Sequence, residues 1–155
     1  MREKILSMAR LPAILKKQRG KSIVFTNGCF DILHIGHIKY LNAAKAKGDI
    51  LIVGLNADKS VRLLKGKNRP VTPQRERAEI LAALACVDFV VIFNEETPYR
   101  LISLIRPDVL VKGGDWPIDK IVGADIVRAK HGRVLRIPFI KNRSTTSLIE
   151  KIQKL

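Results

Sequence analysis

Five short runs rich in Val, Ile, Leu and Phe recur along the chain, at residues 22–26 (SIVFT), 50–55 (ILIVGL), 87–93 (VDFVVIF), 108–112 (DVLVK) and 133–137 (RVLRI). Each is bounded by Gly, Asp, Asn or Pro, and runs of this length and branching predict buried strands. The stretches between them carry helical periodicity over about 36–47, 73–85, 98–105 and 119–130. Strand alternating with helix leaves few choices, because right-handed crossovers make neighbouring strands parallel and lay helices on both faces of one sheet. The predicted fold is a doubly wound α/β domain with a five-stranded parallel sheet. Thr72-Pro73 and Thr97-Pro98 read as N-caps followed by proline at the first helical position. Residues 1–19 read as a helical extension broken near Pro12, and residues 20–155 as the domain proper. The chain ends in a predicted helix with Leu148, Ile149, Ile152 and Leu155 on one face.

A chain of 155 residues, 46% hydrophobic, can bury one substantial core. Its 29 Lys and Arg against 14 Asp and Glu give +15, which favours anionic partners such as nucleotides, sugar phosphates or nucleic acid. The basic residues are spread over 1–21, 62–77 and 128–154 instead of forming one stripe, so most read as a solvated surface with a minority facing substrate phosphates. With 5% aromatic residues the chain has no stacking platform, which argues against a nucleic-acid-binding module. Cys29 and Cys86 form no C-x-x-C pair and suggest neither a disulfide framework nor a zinc site. No apolar run reaches membrane length, and a soluble, unprocessed cytoplasmic protein is the expectation.

In doubly wound sheets ligands bind beyond the carboxyl ends of the strands. The first such segment is GCFDILHIGH, residues 28–37, and the apolar positions Ile38, Leu41 and Ala44 place a helix start near His34 to Gly36. A helix N-terminus offers unpaired N–H groups and about half a positive charge, and Gly36 lets a phosphate approach the backbone. Three readings are open for His34 and His37: a metal site needing His131 as third ligand, a capping or core pair, and a phosphate site. The phosphate reading is favoured because two of the 3 histidines fall in the one loop aimed at the ligand crevice. Gly28 reads as a turn and Phe30 as packing. After the second strand, LLKGKNRP puts Lys65, Lys67 and Arg69 on a glycine-containing loop, read either as closing charges or as a solvated loop. After the fourth, VKGGDW at 111–116 brings backbone close to a ligand, with Asp115 aimed at ribose or backbone and Trp116 as a wall. Asp58 and Asp88 read as helix-start and strand-edge residues.

His34-Ile35-Gly36-His37 after a first strand resembles the H-x-G-H signature of the nucleotidyltransferase superfamily, and RSTTSLIEKI is similar to its S-T-T helix start. The chain has no room for a synthetase's tRNA-binding domain and no K-M-S-K-S element. With LKGKNRP and VKGGD in the same order, residues 20–152 resemble the adenylyltransferase domain that makes ADP-heptose from heptose 1-phosphate for bacterial lipopolysaccharide. The resemblance implies a Rossmann-like nucleotidyltransferase fold and attack of a sugar 1-phosphate oxygen on the α-phosphorus of ATP, with Mg²⁺ accompanying ATP. It implies catalytic roles for His34, His37, Lys65 and Lys67, and nucleotide contacts from Gly28, Cys29, Phe30, Gly36, Lys112, Gly113, Asp115, Arg143, Ser144, Thr145 and Thr146. Asp31, Arg69 and Arg77 fall to the acceptor. A separately encoded heptose kinase and a homodimer are further implications, with no nucleic acid and no membrane as partners. Asn142-Arg143 departs from the glycine often found before S-T-T, and asparagine tolerates the left-handed backbone such a turn needs. A CTP-dependent transferase acting on glycerol 3-phosphate or a phospho-alcohol is the alternative.

Overall fold

The computed structural model describes residues 2–114, 117–138 and 144–155. Its strands are β1 (Ile5–Leu6), β2 (Ile23–Gly28), β3 (Ile50–Asn56), β4 (Phe89–Phe93), β5 (Val109–Gly113) and β6 (Arg133–Ile137). They form one sheet in the order β1-β4-β3-β2-β5-β6, every neighbouring pair parallel. The five expected strands are present, and the sixth is an edge strand of two residues, Ile5 and Leu6, paired with Val90 and Val91. Lys4 ties this edge to the body by donating from Nζ to the carbonyls of Val87 at 2.8 Å and Leu84 at 3.3 Å. The N-terminal segment therefore extends the sheet, and Pro12 lies in the first turn of α1 (Leu11–Lys17) instead of breaking it.

Helices α2 (Ile35–Lys45) and α4 (Gln74–Ala83) cover one face, and α1, α5 (Tyr99–Ile105) and α6 (Ala124–Ala129) cover the other. Alternation along each strand splits the core accordingly. Val24, Leu51, Val53, Val90, Val109 and Val111 pack under α2 and α4, while Phe25, Ile52, Val91 and Leu110 pack under α1, α5 and α6. Burying each of these side chains is worth about 1.5–3 kcal/mol. Gly54 is required on the second face, since a Cβ there would stand 2.8 Å from Phe25 Cζ.

Three local readings are corrected. Pro73 and Pro98 are themselves the N-caps: their carbonyls accept from Arg77 and Ile102, while Thr72 spends its N–H elsewhere. The stretch 119–130 is divided into a 3-10 turn (Ile118–Lys120) and α6 by Gly123 at φ 85°. A further helix, α3 (Asp58–Lys65), follows β3, so Lys65 ends a helix and is not on a loop. The closing helix α7 is Thr145–Ile152, capped by Ser144, which accepts from the Ser147 N–H at 3.0 Å.

Candidate active site

Reversal of strand order falls between β2 and β5, so the crevice of a doubly wound sheet opens above these two strands. β2 ends at Gly28, and the chain then turns through a loop in which Phe30 (φ 45°) and Ile32 (φ 49°) both take the left-handed region. Such backbone costs on the order of 1–3 kcal/mol per non-glycine residue, and more for a branched one, so the surroundings must hold it. Asp31, between the two, does this. Its buried carboxylate accepts from Arg69 Nε at 2.8 Å and from the N–H groups of Val71 and Thr72 at 3.0 Å, and its carbonyl accepts from Thr145 Oγ1 at 2.7 Å. One residue joins the loop after β2, the segment before α4 and the start of α7. Burial alone would raise the Asp31 pKa, but the Thr72 and Val71 amides and the Arg69 guanidinium outweigh it and hold it below the ordinary value.

The loop delivers His34 as the N-cap of α2, its Nδ1 accepting from the Gly36 N–H at 3.1 Å. A neutral His34 bonded this way carries its proton on Nε2. His37, one turn on, lies with its ring centroid 4.0 Å from that of His34, and 5.5 Å from the edge-on ring of Phe30. Its Nδ1 is buried without a hydrogen-bond partner. Burial first, then the neighbouring His34, lower the His37 pKa from 6.5 to about 4, although Asp31 pulls the other way. His37 is therefore neutral at pH 7 before any phosphate arrives. His131 sits in the turn before β6, at the amino end of the strands, and among the described residues no group of three His, Cys, Asp or Glu could hold a metal. The metal reading of the histidine pair is set aside.

Arg77 was expected against the acceptor, yet it is 1% exposed. It donates from Nε to Thr72 O at 2.8 Å, from Nη1 to Asn56 O at 3.0 Å and to Cys29 O, and from Nη2 to Asp58 Oδ1 at 2.7 Å. Its guanidinium fastens the carboxyl ends of β2 and β3 to the start of α4 from below the crevice. Asp31 is likewise committed to protein donors, and Arg69 is paired with it. These three residues assemble the site from within. Nothing in sequence spacing announced the Arg77 network, whose partners are scattered along the chain.

Cys29 marks where positive charge converges. Burial pushes its thiol pKa up against the pull of Lys65, Arg77, Lys112 and Arg69. Arg77 and Arg69 are neutralised by Asp58 and Asp31, and among the described residues Lys65 and Lys112 form no ion pair. Lys67 is exposed beyond Gly66, and Lys112, half-buried at the end of β5, donates to Asn27 Oδ1 at 3.2 Å. Gly113 is buried at the same strand end, Thr145 is half-buried at the start of α7, and Ser144 and Thr146 are exposed beside it. Asp115, Trp116 and Arg143 lie outside the described residues.

A parallel sheet with paired imidazoles, a helix N-terminus and converging cations at its switch point offers a place for an anionic ligand. The chain belongs to the cytidylyltransferase-like family, whose model matches residues 25–150. It is 57% identical over 152 residues to the bifunctional protein HldE of Geotalea uraniireducens, covering 97% of this chain and 31% of that protein. The protein of the same name from Wolinella succinogenes is 55% identical over 153 residues, with 97% and 31% covered. The chain thus spans about a third of the length of these relatives. Among solved structures, the lipopolysaccharide core biosynthesis protein of Thermoplasma volcanium superposes with TM-score 0.64 at 28% identity, covering 80% of this chain and 100% of that one. Pantoate-beta-alanine ligase of Francisella tularensis shares the fold, with TM-score 0.63 at 16% identity over 97% of this chain and 78% of that one.

Proposed function

We propose that the chain transfers AMP from ATP to D-glycero-β-D-manno-heptose 1-phosphate, releasing pyrophosphate and giving ADP-heptose for the lipopolysaccharide core. The observation that carries the reaction class is the pairing of His34 and His37 at the start of α2, ring centroids 4.0 Å apart, with His34 Nδ1 taken by the Gly36 N–H and His37 Nδ1 buried and unsatisfied among the described residues. The likeness to HldE over nearly the whole chain supports the sugar and the base.

The acceptor's phosphate oxygen forms the new bond to the α-phosphorus, the bond from that phosphorus to the β-bridging oxygen breaks, and pyrophosphate leaves with the electron pair. No protein nucleophile is needed. His34 donates from Nε2 to an α- or β-phosphate oxygen, and His37 is drawn toward its charged form by the incoming anion. Ser144, Thr145, Thr146 and the open amides of α7 hold the outer phosphates, with Gly28, Cys29, Gly36 and Gly113 lining the nucleotide's path. Lys65 and Lys67 close over the charge. Asp31, the carboxylate nearest the histidines in the chain, is fully committed to Arg69, Val71 and Thr72, so the described residues do not build a Mg²⁺ site. The ion enters as part of the MgATP substrate.

The reading sets the enzyme in the cytoplasm with its substrates, as a homodimer, receiving its acceptor from a sugar kinase. Among the described residues no helix is long and apolar enough to cross a membrane. Purified protein given ATP or CTP with heptose 1-phosphate, glycerol 3-phosphate or a phospho-alcohol, and scored for pyrophosphate, tests the assignment. Release with ATP and the heptose is expected; release with CTP alone overturns it.

A further inference from the structure

β2 and β5 lie side by side in register, Val24 opposite Val109 and Phe25 opposite Leu110. Val24, Val109 and Val111 pack toward α2 and α4, and Thr26 confirms the count by bonding Tyr40 of α2 through its hydroxyl at 2.6 Å. Phe25 and Leu110 pack toward α5 and α6. The next residues in the same parity, Asn27 and Lys112, therefore point to the α5 and α6 face, away from the helix that carries the histidines. They meet there, Lys112 Nζ donating to Asn27 Oδ1 at 3.2 Å.

An ammonium has three N–H donors, and among the described residues this one has a single partner, a neutral amide. Burial pulls the Lys112 pKa below the ordinary lysine value, with Cys29 acting the other way. A cation half out of water with one neutral contact is completed by an anion. Two anions meet in the proposed reaction. In-line displacement needs the attacking oxygen and the departing pyrophosphate on opposite sides of the α-phosphorus. His34 and His37 stand on the α2 side, and α7 joins the same loop through Thr145. If these hold the nucleotide's phosphates, the attacker comes from the other side of β2.

From sequence resemblance Lys112 fell to the nucleotide, but its placement differs. We propose that Lys112, positioned by Asn27, binds the phosphate of the sugar 1-phosphate acceptor on the sheet face opposite the histidines. This rests on the transfer reaction proposed above.

The test is steady-state kinetics of Lys112→Met, which keeps the stem and removes the charge, and of Lys112→Arg, with ATP and acceptor each varied. For Lys112→Met the acceptor KM should rise roughly ten- to a hundredfold, as for loss of one charge-assisted bond, while the KM for ATP stays within about twofold. Lys112→Arg should recover part of the acceptor KM. A rise in the KM for ATP alone, an equal rise in both, or no change overturns the proposal. Should Lys112→Met fail to fold by circular dichroism, Asn27→Asp, which sets a carboxylate against the ammonium, must raise the acceptor KM selectively, and failure to do so is equally decisive. If the wild type uses a different phosphorylated acceptor, the heptose assignment falls and the Lys112 test runs on that acceptor. No turnover with any acceptor overturns both.

Discussion

Adjacent strands β2 and β3 send their chains to the same crevice, but the two segments are held in different ways. The loop after β2 is gripped throughout: Arg77 takes the Cys29 carbonyl, Asp31 is bonded through carboxylate and carbonyl, and His34 caps α2. The segment after β3 leaves the body as α3, with Leu63 at 72% and Leu64 at 52% exposure. It passes through Gly66 at φ 93°, where an added Cβ would meet nothing within 4 Å, and among the described residues it regains a hold at Arg69. One segment presents imidazoles in fixed geometry, and the other carries Lys65 at the end of α3 and Lys67 on the tether beyond it. Donors that act in the transition state profit from being preorganised, whereas charges that close over a substrate must first let it in.

The largest expected effect lies in the gripped loop. His34→Ala and His37→Ala should each lower turnover by about 10²–10³, read as the initial rate of pyrophosphate release. His34→Ala also loses the cap, worth about 1 kcal/mol in chemical denaturation. Wild-type rates in either variant would show that the fixed loop is not where the chemistry happens.

Asp31→Asn comes next. Replacing a buried, fully bonded carboxylate should destabilise the fold by about 3 kcal/mol and loosen both segments together. The pH dependence separates it from His37. Asp31 has a folded pKa below 3.8, so its contribution is present above that value and is lost as pH falls through the folded pKa. His37 has a folded pKa near 4 against 6.5. Below 6.5 the unfolded chain gains a proton that the folded one refuses, and stability declines as pH drops from 6.5 to about 4. Denaturation midpoints from pH 3 to 7 should therefore show two windows, the upper one absent in His37→Gln and the lower one absent in Asp31→Asn.

The same contrast explains what could be read from the amino-acid order. Strand runs such as ILIVGL and the helix-capping His34 carry local patterns, so the doubly wound sheet and the position of the histidines were legible. β1 has only Ile5 and Leu6, too few to form a pattern, and is an edge strand because of long-range pairing with Val90 and Val91. In α3 only Ser60 and Val61 are buried, so its apolar face is too narrow to distinguish from a basic loop. Arg77 was assigned to the acceptor by resemblance, and its buried clamp was not legible because its partners Cys29, Asn56, Asp58 and Thr72 are remote in the chain or belong to other elements. The outward parity of Lys112 was available by counting from Leu110, but only once the faces of β5 were known.

At the end of α3 and on the tether beyond it, Lys65→Ala and Lys67→Ala should each raise the KM for MgATP by about tenfold, the equivalent of 1.4 kcal/mol, with no change in melting temperature. Both lysines are exposed, so added salt should shrink the effect. Salt-independent losses of turnover like those of the histidine variants would mean that these lysines are also preorganised.

The smallest effect sharpens the comparison most. Gly66, at φ 93° and ψ 168°, occupies backbone that side-chain-bearing residues avoid, with open space around its missing Cβ. In Gly66→Ala a rigid segment would have to keep this conformation and lose about 1–3 kcal/mol of stability. A tether can instead rotate out of it, because the chain has no hold between α3 and Arg69, and then stability falls by less than about 1 kcal/mol. On the proposed closing role of Lys67 the cost appears in function, since the displaced ammonium would be lost to the phosphates. The KM for MgATP should rise severalfold while the acceptor KM is unchanged. Measuring denaturation and the two KM values in one variant thus tells a movable closing segment from a second rigid wall: a full loss of stability with unaltered kinetics would make both sides of the crevice alike.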